Sequence, residues 1–246
     1  TTGRSAASLT ENYGTGIIRR LAVASRPFLA EPPSGFSETP LISPRGTVTI
    51  ARPDLLAALD AALARAREFV PDMAPLPVED LLARMPILRR DYVAGATIEP
   101  RAMEVDVSAL HQGFLRGARR QGAAIVTDAR VASIARGSGL WQAETPAGTF
   151  AAPVLINAAG AWADQVAAMA GVAPLGLQPK RRTALLLPVP AGIDSTGWPM
   201  IDDVGEAFYF KRDAGAVFLS PADAHPSEPC DAAPDELDIA IAIDRF

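Results

Sequence analysis

The stretch from Val154 to Gly171 constrains the fold more than any other. Three consecutive apolar residues, Val154-Leu155-Ile156, run straight into Asn157-Ala158-Ala159-Gly160. From Ala161 to Ala170, Trp162, Val166 and Met169 lie on one side at helical spacing, and Gly171 supplies a stop. A short apolar run of this kind suits a strand buried on both faces of a parallel sheet. The segment therefore predicts strand, tight turn and helix. Such a turn aims backbone N–H groups and the positive end of the helix dipole at whatever occupies the strand's carboxyl end. Two readings fit. The small residues let a phosphate or a ring come close, or they simply permit tight packing of helix on sheet.

Upstream, Gly14 to Ala30 is expected to be helical, with Ile17, Leu21, Ala24 and Phe28 on one stripe. Pro32-Pro33-Ser34-Gly35 stops it. Thr47-Val48-Thr49-Ile50 alternates and is a short strand. Helices are expected over Leu55 to Phe69 and Val78 to Arg84. A further helix is expected over Asp106 to Gly122, where Asp106 or Ser108 caps the start and Gly122 takes the left-handed position at the end. Strands follow at Ala123 to Thr127, Arg130 to Arg136, Leu140 to Thr145 and Thr149 to Phe150, with Pro146-Ala147-Gly148 as a turn. Beyond Pro179 the pattern is antiparallel β: Thr183 to Leu187, Ala207 to Lys211 and Ala216 to Leu219. The mixture predicts an α/β plus α+β protein whose chain crosses between two domains more than once.

The 246 residues carry a net charge of −5, which argues against a nucleic-acid partner. The single cysteine, Cys230, allows no internal disulfide and fits a reducing, cytoplasmic setting. No apolar run approaches the about 20 residues that span a bilayer. His111 and His225 are the only histidines; His111 sits in a helix with no Glu or His at ligand spacing and His225 falls in a loop expected to be exposed, so both read as structural and no metal is expected. There is no Gly-x-Ser-x-Gly elbow and no Walker loop.

Several strings together resemble the D-amino-acid oxidase-like superfamily of FAD-dependent oxidoreductases, and within it the D-arginine dehydrogenases. They include Thr2 to Ala7, Tyr13-Gly14-Thr15, Pro40 to Arg45, Leu88 to Asp91, Ala109 to Gly113 and Asn157 to Trp162. Pro174 to Arg182, Trp198-Pro199-Met200, Phe208-Tyr209 and Ser220-Pro221-Ala222 continue the likeness along nearly the whole chain. The resemblance implies a partial Rossmann-like FAD-binding domain, residues 1–38 and 101–178. It implies an interleaved antiparallel-sheet substrate domain, residues 39–100 and 179–246. It also implies that the family's opening Gly-x-Gly-x-x-Gly unit and its closing segment lie outside the 246 residues, so that the chain is an internal fragment.

By the same resemblance FAD is the cofactor. Gly3, Arg4, Ser5, Ala6, Ala7 and Thr10 match the loop that passes the flavin, although the residues alone read equally as a frayed terminus. Val131 matches the strand position that meets the adenine, and Ala159, Gly160 and Trp162 complete the second turn. On the substrate side Arg182, Tyr13 and Tyr209 match residues that hold an amino-acid carboxylate, a task suited to a guanidinium fork and phenolic O–H groups. Without the resemblance, Lys180-Arg181-Arg182 reads as a solvated basic face.

Three positions depart from the D-arginine dehydrogenases. Thr47 stands where they carry a glutamate for the substrate guanidinium, and Ser8 where they carry a flavin-loop histidine. Asp202, after Met200-Ile201, stands where they are apolar; the resemblance places Thr47, Ser8, Met200 and Asp202 on the substrate side. Asp202 either replaces the missing charge or is a loop residue or cap. The expected activity is oxidation of the Cα–N bond of a D-amino acid, glycine or N-methyl amino acid, with no residue assigned as general base. Two other readings are a non-catalytic small-ligand-binding fragment of the same fold, and a flavin-dependent 2-hydroxy-acid or polyol dehydrogenase.

Overall fold

The structure, a computed structural model, describes residues 6–246. Along the chain run β1 (Ser8–Leu9), α1 (Gly16–Ala30), β2 (Ile42–Pro44), β3 (Thr47–Ala51) and α2 (Leu56–Ala66). Next come β4 (Ala74–Pro75), α3 (Val78–Arg84), β5 (Gly95–Glu99), β6 (Met103–Val105) and α4 (Val107–Arg120). They are followed by β7 (Ser133–Gly137), β8 (Leu140–Thr145), β9 (Gly148–Ala152), α5 (Ala163–Met169) and β10 (Lys180–Arg181). The last are β11 (Leu185–Pro188), β12 (Met200–Asp203), β13 (Tyr209–Asp213), β14 (Ala216–Ser220), β15 (His225–Pro226) and α6 (Glu236–Arg245). These elements form two compact units, one of residues 1–117, 183–223 and 234–246, the other of 118–182 and 224–233. The units are units of packing, cut at positions other than those of the expected flavin and substrate domains.

The first unit is built on a seven-stranded sheet in the order β11-β14-β13-β12-β3-β5-β4. Every neighbouring pair is antiparallel except β12 and β3, where Met200 lies beside Thr47 and Asp203 beside Ile50. Side chains alternate between faces along a strand. Val48, Ile50, Ile201, Phe210, Val217 and Leu219 therefore share one face, and they are buried with Leu81 and Met85 of α3, Val93, Trp198 and Phe208. Each such side chain contributes about 1.5–3 kcal/mol on burial, so this face supplies most of the unit's stability. Asp203 shares that side but is answered there: Oδ2 accepts from the Tyr92 hydroxyl at 2.9 Å, and Oδ1 from the N–H of Gly205 at 2.8 Å. Burial, then the bond to Asp203, pushes the Tyr92 phenol up to about 12.

A smaller sheet, β1-β6-β2, packs with α1 and α4 around Leu9, Leu29, Phe36 and Leu41. Asp106 caps α4 as expected, its Oδ1 accepting from the Ala109 N–H at 2.7 Å. A Cβ on Gly113 of α4 would lie 2.4 Å from the Phe36 ring, which meets Phe28 and Phe114 edge-on. The expected apolar stripe of α1 is corrected. Ile17, Leu21 and Ala24 are exposed, while Leu29 is buried and Phe28 packs beside it. Helical spacing marks a face that something can bury; in the first two turns of α1 Ala22 packs on the core and Arg19 lies over the Phe69 ring, while Ile17, Ile18, Leu21 and Val23 stay exposed.

In the second unit β7, β8 and β9 form an antiparallel meander, and β10 pairs with β15. The Pro146-Ala147-Gly148 turn is where the sequence placed it, between β8 and β9. Gly122 takes the left-handed conformation expected of it, φ +84°. Two expected strands are absent. Residues 123–127 pair with no strand among the described residues, and the same holds for 154–156. Instead of being buried on both faces, Ile156 is 82% exposed. A strand exists only with a ladder partner, and an apolar run cannot supply its own. Among the described residues no helix is long and apolar enough to cross a membrane.

Candidate functional site

The second face of the seven-stranded sheet is polar. Thr47 and Thr49 of β3 alternate against Val48 and Ile50, and they lie in register with Met200 and Asp202 of β12. Asp202 is opposite Tyr209 of β13, and Thr47 is opposite Glu99 of β5. Thr47, Met200, Asp202 and Tyr209, four of the residues expected to meet a substrate, thus share one surface of one unit. Each is half-buried, whereas Val48, Ile50, Ile201 and Phe210 on the other side are closed off.

Asp202 is a strand residue, which overturns the reading of it as a loop or a cap. The Thr49 hydroxyl donates to its Oδ2 at 3.1 Å, and its Oδ1 is inaccessible to solvent with no hydrogen-bond partner among the described residues. Burial pushes this carboxyl up to about 7; the Thr49 hydroxyl pulls it down, and the nearby charges of Glu99 and Asp203 add to the rise. The Thr47 hydroxyl is likewise buried without a partner.

Around this surface lies a set of buried charges that the sequence reading missed. Glu99 is 2% exposed; it accepts from the Thr10 hydroxyl at 2.5 Å and from the Glu11 N–H at 3.0 Å. Burial holds its carboxyl above the ordinary range against those two bonds. Glu11, equally buried, pairs with Arg26, and its other oxygen lies 3.7 Å from Arg101. On the far side Glu104 of β6 takes Lys211 at 2.7 Å and also pairs with Arg45. Burial lowers both cations, and Arg212 lowers Arg45 further. The alternation of Ala96-Thr97-Ile98-Glu99 was the available signal for β5.

Ser8 of β1 lies opposite Glu104, and its hydroxyl is buried without a partner among the described residues. Just before it Ala7 adopts φ +54°, a left-handed conformation rare outside glycine. A strained loop beside an orphaned hydroxyl fits a loop shaped for a bound group. Thr10, expected at the cofactor, spends its hydroxyl on Glu99 instead. Gly3, Arg4 and Ser5 lie outside the described residues. Ala6 is half-buried at the head of the loop, and Tyr13 is 71% exposed.

The remaining expected residues belong to the second unit. The Asn157 turn closes on itself: Oδ1 accepts from the Ala159 N–H at 3.2 Å, and Nδ2 donates to the Ala163 carbonyl at 2.8 Å. Gly160 opens the 3-10 turn Gly160–Trp162 with φ +58°, and no heavy atom lies within 4 Å of where its Cβ would be. Ala159 and Trp162 flank it, both half-buried. Asp164 then fixes the following loop, accepting from the N–H groups of Leu175 at 3.0 Å and Leu177 at 2.8 Å. Val131 leads into β7, and Arg182 follows β10 and is exposed. Open space over Gly160 and short neighbours fit the close approach of a ring or phosphate.

Known proteins give this geometry a context. The chain is 35% identical over 95 residues to human mitochondrial dimethylglycine dehydrogenase, covering 38% of the chain and 11% of that protein. The rat enzyme matches at 25% identity over 138 residues, 55% of the chain and 16% of that protein. Among solved structures, L-proline dehydrogenase from P. horikoshii superposes with a TM-score of 0.82 at 16% identity, covering 100% of this chain and 66% of that one. Glycine oxidase from Geobacillus kaustophilus gives 0.80 at 19%, over 99% and 66%. L-α-glycerophosphate oxidase from Mycoplasma pneumoniae, with FAD bound, gives 0.84 at 15%, over 100% and 67%. These structural likenesses establish the fold. The chain spans about two-thirds of the solved structures and less than a fifth of the curated relatives. The family model for DAO, described as FAD dependent oxidoreductase, matches residues 1–245, and the chain belongs to that family of FAD-dependent oxidoreductases.

Proposed function

We propose that the protein containing this chain oxidises the Cα–N bond of an amino acid, whether a D-amino acid, glycine or an N-methyl amino acid. One observation carries the reading: a chain of this family presents a half-buried polar sheet face, Thr47, Thr49, Met200, Asp202 and Tyr209, directly behind its apolar core. The names of relatives support it, since dimethylglycine dehydrogenase and glycine oxidase both act on small amino acids. FAD, when bound, supplies the acceptor for a hydride from Cα.

In this reading the flavin domain comprises residues 1–38 and 101–178 and the substrate domain residues 39–100 and 179–246. Ala6, Ala7, Thr10, Val131, Ala159, Gly160 and Trp162 hold the cofactor, together with Gly3, Arg4 and Ser5. Arg182 takes the substrate carboxylate with its guanidinium fork, and Tyr13 and Tyr209 orient it through their hydroxyls. The amine gives up a proton as Cα gives up its hydride, and the resulting imine adds water to yield a 2-oxo acid and ammonia or an amine. The chain's own residues thus orient the substrate and set the local charge.

The test is a screen of glycine, sarcosine, D-amino acids and 2-hydroxy acids against the full-length, flavin-loaded protein with an artificial electron acceptor. Reduction with an amino acid and release of the 2-oxo acid is the expected outcome; turnover of 2-hydroxy acids alone would sink it. The polyol form of that runner-up draws on the superposition on a glycerophosphate oxidase. Arg182→Ala is expected to raise KM about 10- to 100-fold for every carboxylate substrate. An unchanged KM removes the clamp.

A further inference from the structure

We propose that Asp202 is the specificity residue of a subsite for a cationic, hydrogen-bond-donating side chain, an ammonium or a guanidinium, on the substrate; the proposal rests on the amino-acid reading above. Its physical basis is an acceptor left unanswered. Oδ2 of Asp202 is satisfied by Thr49, while Oδ1 is buried with no donor among the described residues. Thr47, on the adjacent strand and the same face, adds a second buried oxygen, its hydroxyl, without a partner among the described residues.

Among the described residues, neither Lys211 nor Arg45 answers Asp202. Lys211, two residues along β13 from Tyr209 and on the same face, donates to Glu104, and Arg45 pairs with Glu104 and donates to the Trp198 carbonyl at 3.3 Å. Glu99, whose charge is felt at Asp202, is already an acceptor twice over. The surface near Asp202 therefore offers open acceptor capacity at Oδ1. Buried polar atoms are almost always paired, and exceptions concentrate where a ligand completes the set.

The chemistry of the occupant follows. An anion would face two carboxylates, and an apolar side chain would leave Oδ1 as it is. A cationic N–H group satisfies Oδ1, with the Thr47 oxygen available as a second acceptor. The substrate's α-amino group is a poor candidate, because a carboxylate beside it favours the charged form, and loss of hydride from Cα requires the neutral amine. The side chain is the remaining cation, and it is the part of the substrate that distinguishes one amino acid from another.

Two measurements on the full-length, flavin-loaded protein decide the matter. In the first, kcat and KM are determined for wild type and Asp202→Asn with lysine, arginine, norleucine and alanine of the oxidised enantiomer. The expected result is a fall of about 10- to 100-fold in kcat/KM for lysine and arginine, carried by KM, with norleucine and alanine within about threefold. An equal loss for all four, or no loss for any, overturns the proposal. In the second, butylammonium, butylguanidinium and 1-butanol are titrated calorimetrically into the same two proteins. Binding of the two cations, weakened about tenfold or more in Asp202→Asn, with butanol indifferent to the substitution, supports it. Cations that bind both proteins equally, or neither, overturn it. Cation binding that depends on Asp202 in a protein that oxidises no amino acid would refute the activity and leave the subsite standing.

Discussion

The two faces of the seven-stranded sheet are made by the same strands, and they differ in almost every physical respect. Behind it, Val48, Ile50, Ile201, Phe210 and Leu219 are closed to solvent, and even a carboxylate there, Asp203, has donors on both oxygens. In front, Thr47, Thr49, Met200, Asp202 and Tyr209 are half-open, and two polar atoms among them are buried without partners among the described residues. A period of two residues lets one stretch of backbone serve both ends: alternate positions supply the stability that the positions between them give up. Asp202 and Asp203 show it in neighbouring residues of the same type.

The comparison can be broken most severely from behind. Phe210→Ala removes a fully buried ring that meets Phe246 edge-on at 5.1 Å, and is expected to cost about 3–5 kcal/mol in chemical denaturation. A loss below about 1 kcal/mol would mean that the apolar face does not carry the unit. From the front the sign reverses. Asp202→Asn removes an ionisable group whose Oδ1 is unanswered, and is expected to stabilise the substrate-free protein by about 1–3 kcal/mol. A lower melting temperature would mark Asp202 as a structural residue.

The pH dependence sharpens the same contrast. The folded-state Asp202 carboxyl sits at about 7, above its value in the unfolded chain. Its contribution to stability is therefore present in acid and lost as pH rises from the ordinary carboxylate range through about 7. Glu99 and Asp203 reinforce that shift, the Thr49 hydroxyl opposes it, and Tyr209 and Lys211 face it from β13. Melting curves between pH 4 and 8 should show a decline in wild type that is shallower in Asp202→Asn. The decline should not vanish, because Glu99 is raised as well. Identical slopes would count against a buried, titrating Asp202. The smallest effect belongs to Thr47→Val, expected to be neutral or stabilising by up to about 1 kcal/mol, since the lost hydroxyl has no partner. A loss above 1 kcal/mol would show that the hydroxyl is answered after all.

What the residues disclosed in advance follows the range of the forces involved. Asp106 as the cap of α4, Gly122 beyond its end and the Thr47 to Ile50 strand rest on neighbours in sequence, and all were readable. β12 was not, because Met200 to Asp203 is four residues long and ends in two acids, a pattern that locally resembles a loop. It is a strand because β3 and β13 flank it: β13 returns beside it after a short turn, but β3 comes from far upstream in the chain. The error at 154–156 has the same origin with opposite sign: an apolar run read as a strand has no ladder partner among the described residues. The expected substrate residues on β3, β12 and β13 were named without the buried Glu99 opposite Thr47 or the half-buried Glu104, since a carboxylate's burial depends on what packs over it.

The parallel ladder between β3 and β12 also has a bearing on how the chain is made. Thr47 and Met200 are neighbours in the sheet but emerge from the ribosome far apart, with the whole 118–182 segment between them. At synthesis rates of about 5–20 residues per second, the flank of β3 that β12 will occupy waits on the order of ten seconds for its partner. During that interval a nascent chain carries an open, partly apolar strand edge, and pairing across so long a separation is slow for entropic reasons. The central ladder that gathers the substrate face is thus the late step in biogenesis, and the one where holding chaperones have the most to protect.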